Sequence, residues 1–178
     1  MEDWNVVVTV QEGHYRQAGR LLRSYGRVRH TAFYDVLTLR VDDVRRFLET
    51  VREDTAASPE KYAGIRFMPV QKSFRFQSPE EFEALAREAA GEWVPELAGK
   101  TFYVRMHRRG FKGRLSSQEE ERFLDGVLLA GIEKTGNSGR ISFEDPDAVC
   151  VVETVGQRAG LALWTREDRR RFPFLHWD

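Results

Sequence analysis

The spacing of apolar and polar positions switches repeatedly along the chain, and each switch predicts an element. Residues 4–10 (WNVVVTV) are a β-branched run of strand length. Between residues 14 and 25, Tyr15, Ala18, Leu21, Leu22 and Tyr25 fall on one helical face, which Gly26 closes. Residues 28–34 and 36–41 read as two strands meeting around Asp35, and a helix with Val44, Phe47, Leu48 and Val51 on one face follows. Residues 55–64, with Pro59 and Gly64, connect to an extended stretch at 65–76. There Ile65 and Phe67, then Phe74 and Phe76, alternate with polar neighbours, and Pro69 suits an edge strand or a bulge. The order βαββαβ over residues 4–76 is that of a ferredoxin-like unit.

A second unit is expected from Ser78. Ser78, Pro79 and Glu81 supply an N-cap, a proline at the first helical position and an acid at the third. Phe82, Leu85, Ala86, Ala89 and Trp93 make the buried stripe of that helix, with Pro95 and Gly99 ending it. Phe102, Val104 and Met106 alternate with Tyr103, Arg105 and His107, the pattern of a strand with one buried face. Ser116 and Glu119 form a capping box for a helix carrying Phe123, Leu124, Val127, Leu128 and Ile132 to about Lys134, and residues 136–139 (GNSG) turn the chain. The run at 149–155, which lacks alternation, predicts a central strand buried on both faces, and residues 161–165 a further strand. In the tail at 166–178, Phe172, Phe174, Leu175 and Trp177 are apolar enough to dock. The expectation is an α+β protein with a ferredoxin-like domain at 1–77, a second domain at 78–165 and a C-terminal tail at 166–178.

Composition narrows the function. The 178 residues hold 28 basic and 28 acidic side chains, so net charge carries no argument for a polyanionic partner. No apolar run reaches the length of a membrane span, and the acidic start lacks the features of a secretory signal, so a soluble, cytoplasmic protein is expected. The single cysteine, Cys150, allows no internal disulfide and no cysteine-based zinc cluster, and inside an apolar run it reads as an inert packing residue. His14, His30, His107 and His176 show no metal-binding spacing, and no nucleotide or nucleophile motif is present. Glu119, Glu120 and Glu121 point about 100° apart on their helix and cannot converge on a metal. No catalytic residue, metal or cofactor is expected. Gly136 reads as a helix C-cap in preference to a phosphate nest.

Charge clustering is more informative. Residues 97–118 contain Lys100, Arg105, Arg108, Arg109, Lys112 and Arg114, with His107, and not one carboxylate. Gly110 and Gly113 allow close backbone approach, and Phe111 supplies a ring for stacking or packing. The stretch runs into a helix start at Ser116 and Ser117, where amide groups and the helix dipole favour a phosphate. Arg suits such contacts because its planar fork donates two parallel hydrogen bonds. A second cluster, Arg166, Arg169, Arg170 and Arg171, is diluted by Glu167 and Asp168 and reads as a solvated surface.

The segments TFYVRMHRRG (101–110), LSSQEEE (115–121), DPDAVCVVETVG (145–156) and RAGLALW (158–164), in this order, resemble a THUMP domain, the RNA-binding module of tRNA-modifying enzymes. The resemblance covers about half the chain, from Ser78 to about Thr165. It implies an ααβαββ module that binds structured tRNA at its acceptor end and unpaired CCA, beside the ferredoxin-like unit that family members also carry. Thiouridine synthetases, methyltransferases and pseudouridine synthases of this group attach a catalytic domain, whereas this sequence stops shortly after the last THUMP strand. In that respect it is similar to the stand-alone THUMP proteins, typified by the adaptor for cytidine acetylation in tRNA. The expected role is a tRNA-binding adaptor working with a separate tRNA-modifying enzyme. Two other classes remain open: a small-molecule-binding regulatory protein of ferredoxin-like fold, and a small enzyme of that fold.

Overall fold

In the computed structural model, which describes residues 3–175, the chain divides into two units, one running to Val70 and rejoined by the segment from Arg171, the other spanning Gln71–Arg170. The first contains β1 (Val6–Val10), α1 (Tyr15–Leu22), β2 (Arg27–His30), β3 (Val36–Arg40), α2 (Val44–Ala57), α3 (Pro59–Tyr62) and β4 (Ile65–Pro69). Its four strands form one antiparallel sheet in the order β2-β3-β1-β4. Valines on alternate positions of β1, Val6 and Val8, meet Leu37, Leu39, Phe47 and Val51 in the core, with Ala18 and Leu22 from α1. The Asp43 carboxylate caps α2 by accepting the Arg46 N–H. Across this core the Tyr25 hydroxyl donates to Asp54 at 2.6 Å and lies 2.6 Å from the Tyr62 hydroxyl.

The second unit contains β5 (Lys72–Arg75), α4 (Pro79–Gly91), α5 (Val94–Leu97), β6 (Thr101–His107), α6 (Ser117–Lys134), β7 (Arg140–Ile141), β8 (Ala148–Val155), β9 (Arg158–Thr165) and, at the boundary, α7 (Arg166–Arg171). The sheet order is β5-β9-β8-β6-β7. β8 is central and buried on both faces, as its lack of apolar–polar alternation predicts. Phe76, Phe82, Ala86, Leu124, Leu128 and Ile132 pack with Phe102, Val104, Cys150 and Val152 in one core. The predicted caps form: Ser78 accepts the Glu81 N–H and Ser116 the Glu119 N–H.

Several boundaries differ from expectation. The extended stretch at 65–76 is two strands in two sheets: β4 ends at Pro69, and β5 pairs with β9. The expected boundary at 77/78 therefore lies at 70/71, because Phe74 and Phe76 pack in the second core. β2 stops at His30, since the Thr31 hydroxyl donates to the Val36 carbonyl and Asp35 adopts a left-handed φ of 54°. Pro95 opens α5 instead of ending a helix, and α2 runs on to Ala57. Tyr103, expected on an open face, is buried with its ring 5.1 Å from that of Phe143. The tail divides: Phe172 is fully buried, Phe174 packs against the first core, and Leu175 bridges Phe67. His176 and Trp177 lie outside the described residues.

Candidate nucleic-acid interface

The acid-free stretch at 97–118 becomes β6, a loop at 108–115 and the start of α6, and the loop emerges where β8 turns into β9. The Arg109 N–H donates to the Thr154 hydroxyl at 2.9 Å, and the Gly156 N–H donates to the Arg109 carbonyl at 2.8 Å. Gly110, Phe111 and Gly113 then take left-handed φ values of 104°, 55° and 78°. A phenylalanine there is uncommon and needs support from its surroundings. Its ring lies 5.0 Å from that of Phe76, and the Arg114 guanidinium sits 4.9 Å over it. Of the two roles open to Phe111, stacking or packing, the structure gives packing. Buried Leu115 anchors the exit, ahead of Ser116 and Ser117 at the start of α6.

The predicted bases divide into three groups. Lys112 and Arg114 are exposed on the loop, and Arg108 is half-buried, donating from Nη1 to the Gly110 carbonyl. Arg109 and His107 turn inward. The Glu153 carboxylate, 2% exposed, accepts from Arg109 Nη1 at 2.7 Å and lies 3.1 Å from His107 Nδ1. The parallel register that sets His107 opposite Glu153 makes this contact local. Arg105 also serves the fold, with Nη1 3.9 Å from Glu121 and its guanidinium 5.3 Å over the Tyr103 ring. Lys100 stands at the opposite end of β6, about 20 Å away at the rise of an extended strand. The helix start is less inviting than the sequence suggests, because Glu119 already occupies the first turn of α6.

Sequence reasoning missed the acids beneath this surface. Glu153 had a visible signal, a charge inside an otherwise apolar run, which folds buried only when paired. Glu121 and Asp125 had none. They accept the Met106 and Val104 N–H groups at 2.8 and 3.0 Å, along the edge of β6 that β7 pairs for only two residues. Burial pushes Asp125 up to about 6, with the Glu121 charge adding and the Val104 hydrogen bond opposing. Burial pushes the Cys150 thiol up to about 12, so it is no nucleophile at neutral pH. The second arginine cluster lies largely at the surface, and its charges are met by carboxylates: Arg166 pairs with Asp145 and Asp147 at 3.0 Å each, and Arg171 grips Glu49 at 2.6 and 3.0 Å. Among the described residues, no group of three or more His, Cys, Asp or Glu side chains could hold a metal ion, and no helix is long and apolar enough to cross a membrane.

No family model matches the chain. A stretch of 75 residues, 42% of the chain, is 37% identical to the tRNA sulfurtransferase of Pyrobaculum aerophilum and spans 14% of that protein. The fold is similar to that of PH1313 from Pyrococcus horikoshii, with a TM-score of 0.57, 12% identity, and coverage of 89% of this chain and 54% of that one. It is likewise similar to a 4-thiouridine synthetase crystallised with RNA and ATP, with a TM-score of 0.52, 16% identity, and coverage of 90% and 41%. The chain thus spans about half the length, or less, of the proteins it matches. The sulfurtransferase match supports the THUMP resemblance, and the two structures show a shared fold.

Proposed function

We propose that this chain is a cytoplasmic tRNA-binding protein of THUMP type, whose second unit contacts RNA phosphates through the loop at 108–114 while the first acts as a ferredoxin-like companion. The observation that carries the reading is the loop's construction. Glu153 and Thr154 hold its base and Phe76 holds Phe111, so Arg108, Lys112 and Arg114 sit on a fixed backbone. Fixed positions let cations meet phosphates without a large ordering cost. The likeness to a tRNA sulfurtransferase and to a 4-thiouridine synthetase bound to RNA supports tRNA as the partner. On this reading the protein presents the acceptor end, with its unpaired CCA, to a separate modifying enzyme. Splayed single-stranded bases are what proteins read most readily in RNA.

The test is titration of the purified chain with intact tRNA, CCA-trimmed tRNA and an unstructured RNA of equal length. Intact tRNA should bind most tightly and the trimmed form more weakly. Equal affinity for all three would reduce the protein to a general polyanion binder.

A second reading has one observation behind it. The first unit holds a cavity of about 410 Å³ lined by Thr9, Val10, Gln11, Gly64 and Arg66, a size that suits a small ligand. A metabolite-dependent rise in Tm without tRNA binding would favour a small-molecule regulator.

A further inference from the structure

Residues 13–34 match the stretch at 97–118 in length and, like it, contain no carboxylate. They carry Arg16, Arg20, Arg23, Arg27 and Arg29 and fold as α1, β2 and the turns around them. On α1, Ala18 and Leu22 are buried in the first core, whereas Arg16, Arg20 and the capping Arg23 are exposed. Positions i, i+4 and i+7 fall within about 60° of one another around a helix axis, so these three arginines form one row, with steps of about 6 and 4.5 Å along it. None of the three has a carboxylate partner among the described residues. Elsewhere in the same unit arginines meet acids: Arg40 lies 3.7 Å from Asp3, and Glu49 meets Arg52 at 3.6 Å and Arg171 at 2.6 Å. The backbone beneath the row is held at both ends. The Tyr15 hydroxyl lies 2.6 Å from His30 Nδ1, tying the start of α1 to β2, and just past its end Tyr25 donates to Asp54 on α2. Cations on a fixed backbone meet phosphates with little ordering cost. Arg27 and Arg29 do not join the row: Val28 packs into the core that α1 covers, and alternation turns its neighbours to the other face of the sheet.

We propose that Arg16, Arg20 and Arg23 form a second RNA-contacting surface, which grips the phosphate backbone of a paired stem. A regular row of cations matches a regular backbone, and paired RNA is recognised chiefly through its shape, phosphates and 2′-hydroxyl groups. The inference rests on the tRNA-binding reading and gives the first unit a contact of its own. Wild-type protein, the triple variant Arg16→Ala/Arg20→Ala/Arg23→Ala and Lys61→Ala would be titrated with intact and CCA-trimmed tRNA between about 50 and 200 mM salt. Alanine is the better helix former, so α1 should survive, as circular dichroism verifies. Each phosphate contact contributes about 0.7–0.9 to the slope of log affinity against log salt, or about threefold in affinity over that range. The triple variant should lose about 2 to 3 in slope, equally with both RNAs because trimming leaves the stem intact. Arg20→Ala alone should lose one contact's worth and replaces the triple variant should that be unstable. Lys61, exposed on α3, lies off the row, and Lys61→Ala should lose none. Salt-dependent binding by the wild type with an unchanged slope in the folded triple variant overturns the inference and leaves the wider reading standing. A loss confined to intact tRNA overturns the assignment to a stem. An equal loss per charge in Lys61→Ala overturns the row as a contact, leaving only a diffuse field. Absence of salt-dependent tRNA binding by the wild type removes both the inference and the reading beneath it.

Discussion

Neighbouring arginines at 108 and 109 do opposite things, and the difference lies in where each guanidinium finds its partner. Arg109 meets a carboxylate that is almost wholly buried, whereas Arg108 folds back on a carbonyl of its own loop. Removing one member of a buried charge pair leaves the other unpaired, at a cost of about 3–5 kcal/mol, while surface changes usually stay within about 0.5 kcal/mol. Arg109→Glu, which also sets two carboxylates together, should therefore destabilise the protein severely. Arg108→Glu should leave stability nearly unchanged. Urea denaturation of the two variants measures the contrast, and equal stability would show that Glu153 does not depend on Arg109. A binding defect in a variant carrying both changes would mix unfolding with lost contacts, so Arg109 does not belong in a test of RNA affinity.

The helices α4 and α6 share a buried carboxyl group, which makes their seam sensitive to pH. Glu120, 5% exposed, is pushed up to about 8 by burial and by its hydrogen bond to, and the charge of, Glu83, with Glu119 adding. The sign follows from linkage: between its ordinary value of 4.5 and about 8, the unfolded chain releases this proton while the folded one keeps it. Its contribution to stability is therefore full below pH 4.5 and declines as pH rises towards 8. Glu120→Gln should flatten that decline, by the order of a few kcal/mol between pH 5 and 8.5, as read by chemical denaturation at the two pH values. A parallel decline in both proteins would refute the assignment. These helices also show what was legible in the sequence. Their starts at Ser78 and Ser116 followed from capping chemistry, and their apolar stripes from a 3.6-residue period. That Glu120 is buried and that Glu121 caps a strand edge could not be read, because both depend on which helix and strand lie opposite. The split at Val70–Gln71 was hidden for a similar reason. Two strands separated by two residues look like one extended stretch until their partners, β1 and β9, are known.

At the scale of the whole molecule, the division into two units revises where the chain can be cut. A fragment beginning at Ser78 loses β5, and with it Phe74 and Phe76 from the second core, whereas one spanning residues 71–170 keeps the complete sheet. The longer-sheet fragment should melt cooperatively by circular dichroism and bind tRNA, and the fragment from Ser78 should be markedly less stable because a large buried aromatic is worth about 3–5 kcal/mol. Equal stability of the two would mean that β5 is dispensable to its sheet. The central claim, that the loop at 108–114 contacts RNA phosphates, is tested most directly by the salt dependence of tRNA binding. The full chain and the triple variant Arg108→Glu/Lys112→Glu/Arg114→Glu would be titrated at several salt concentrations, with the fold of each verified by circular dichroism. Phosphate contact by the loop predicts weaker binding by the variant and a slope of log affinity against log salt shallower by about 2 to 3. An unchanged slope in a folded variant would contradict it, showing that the loop is a solvated surface and that RNA, if bound, is held elsewhere.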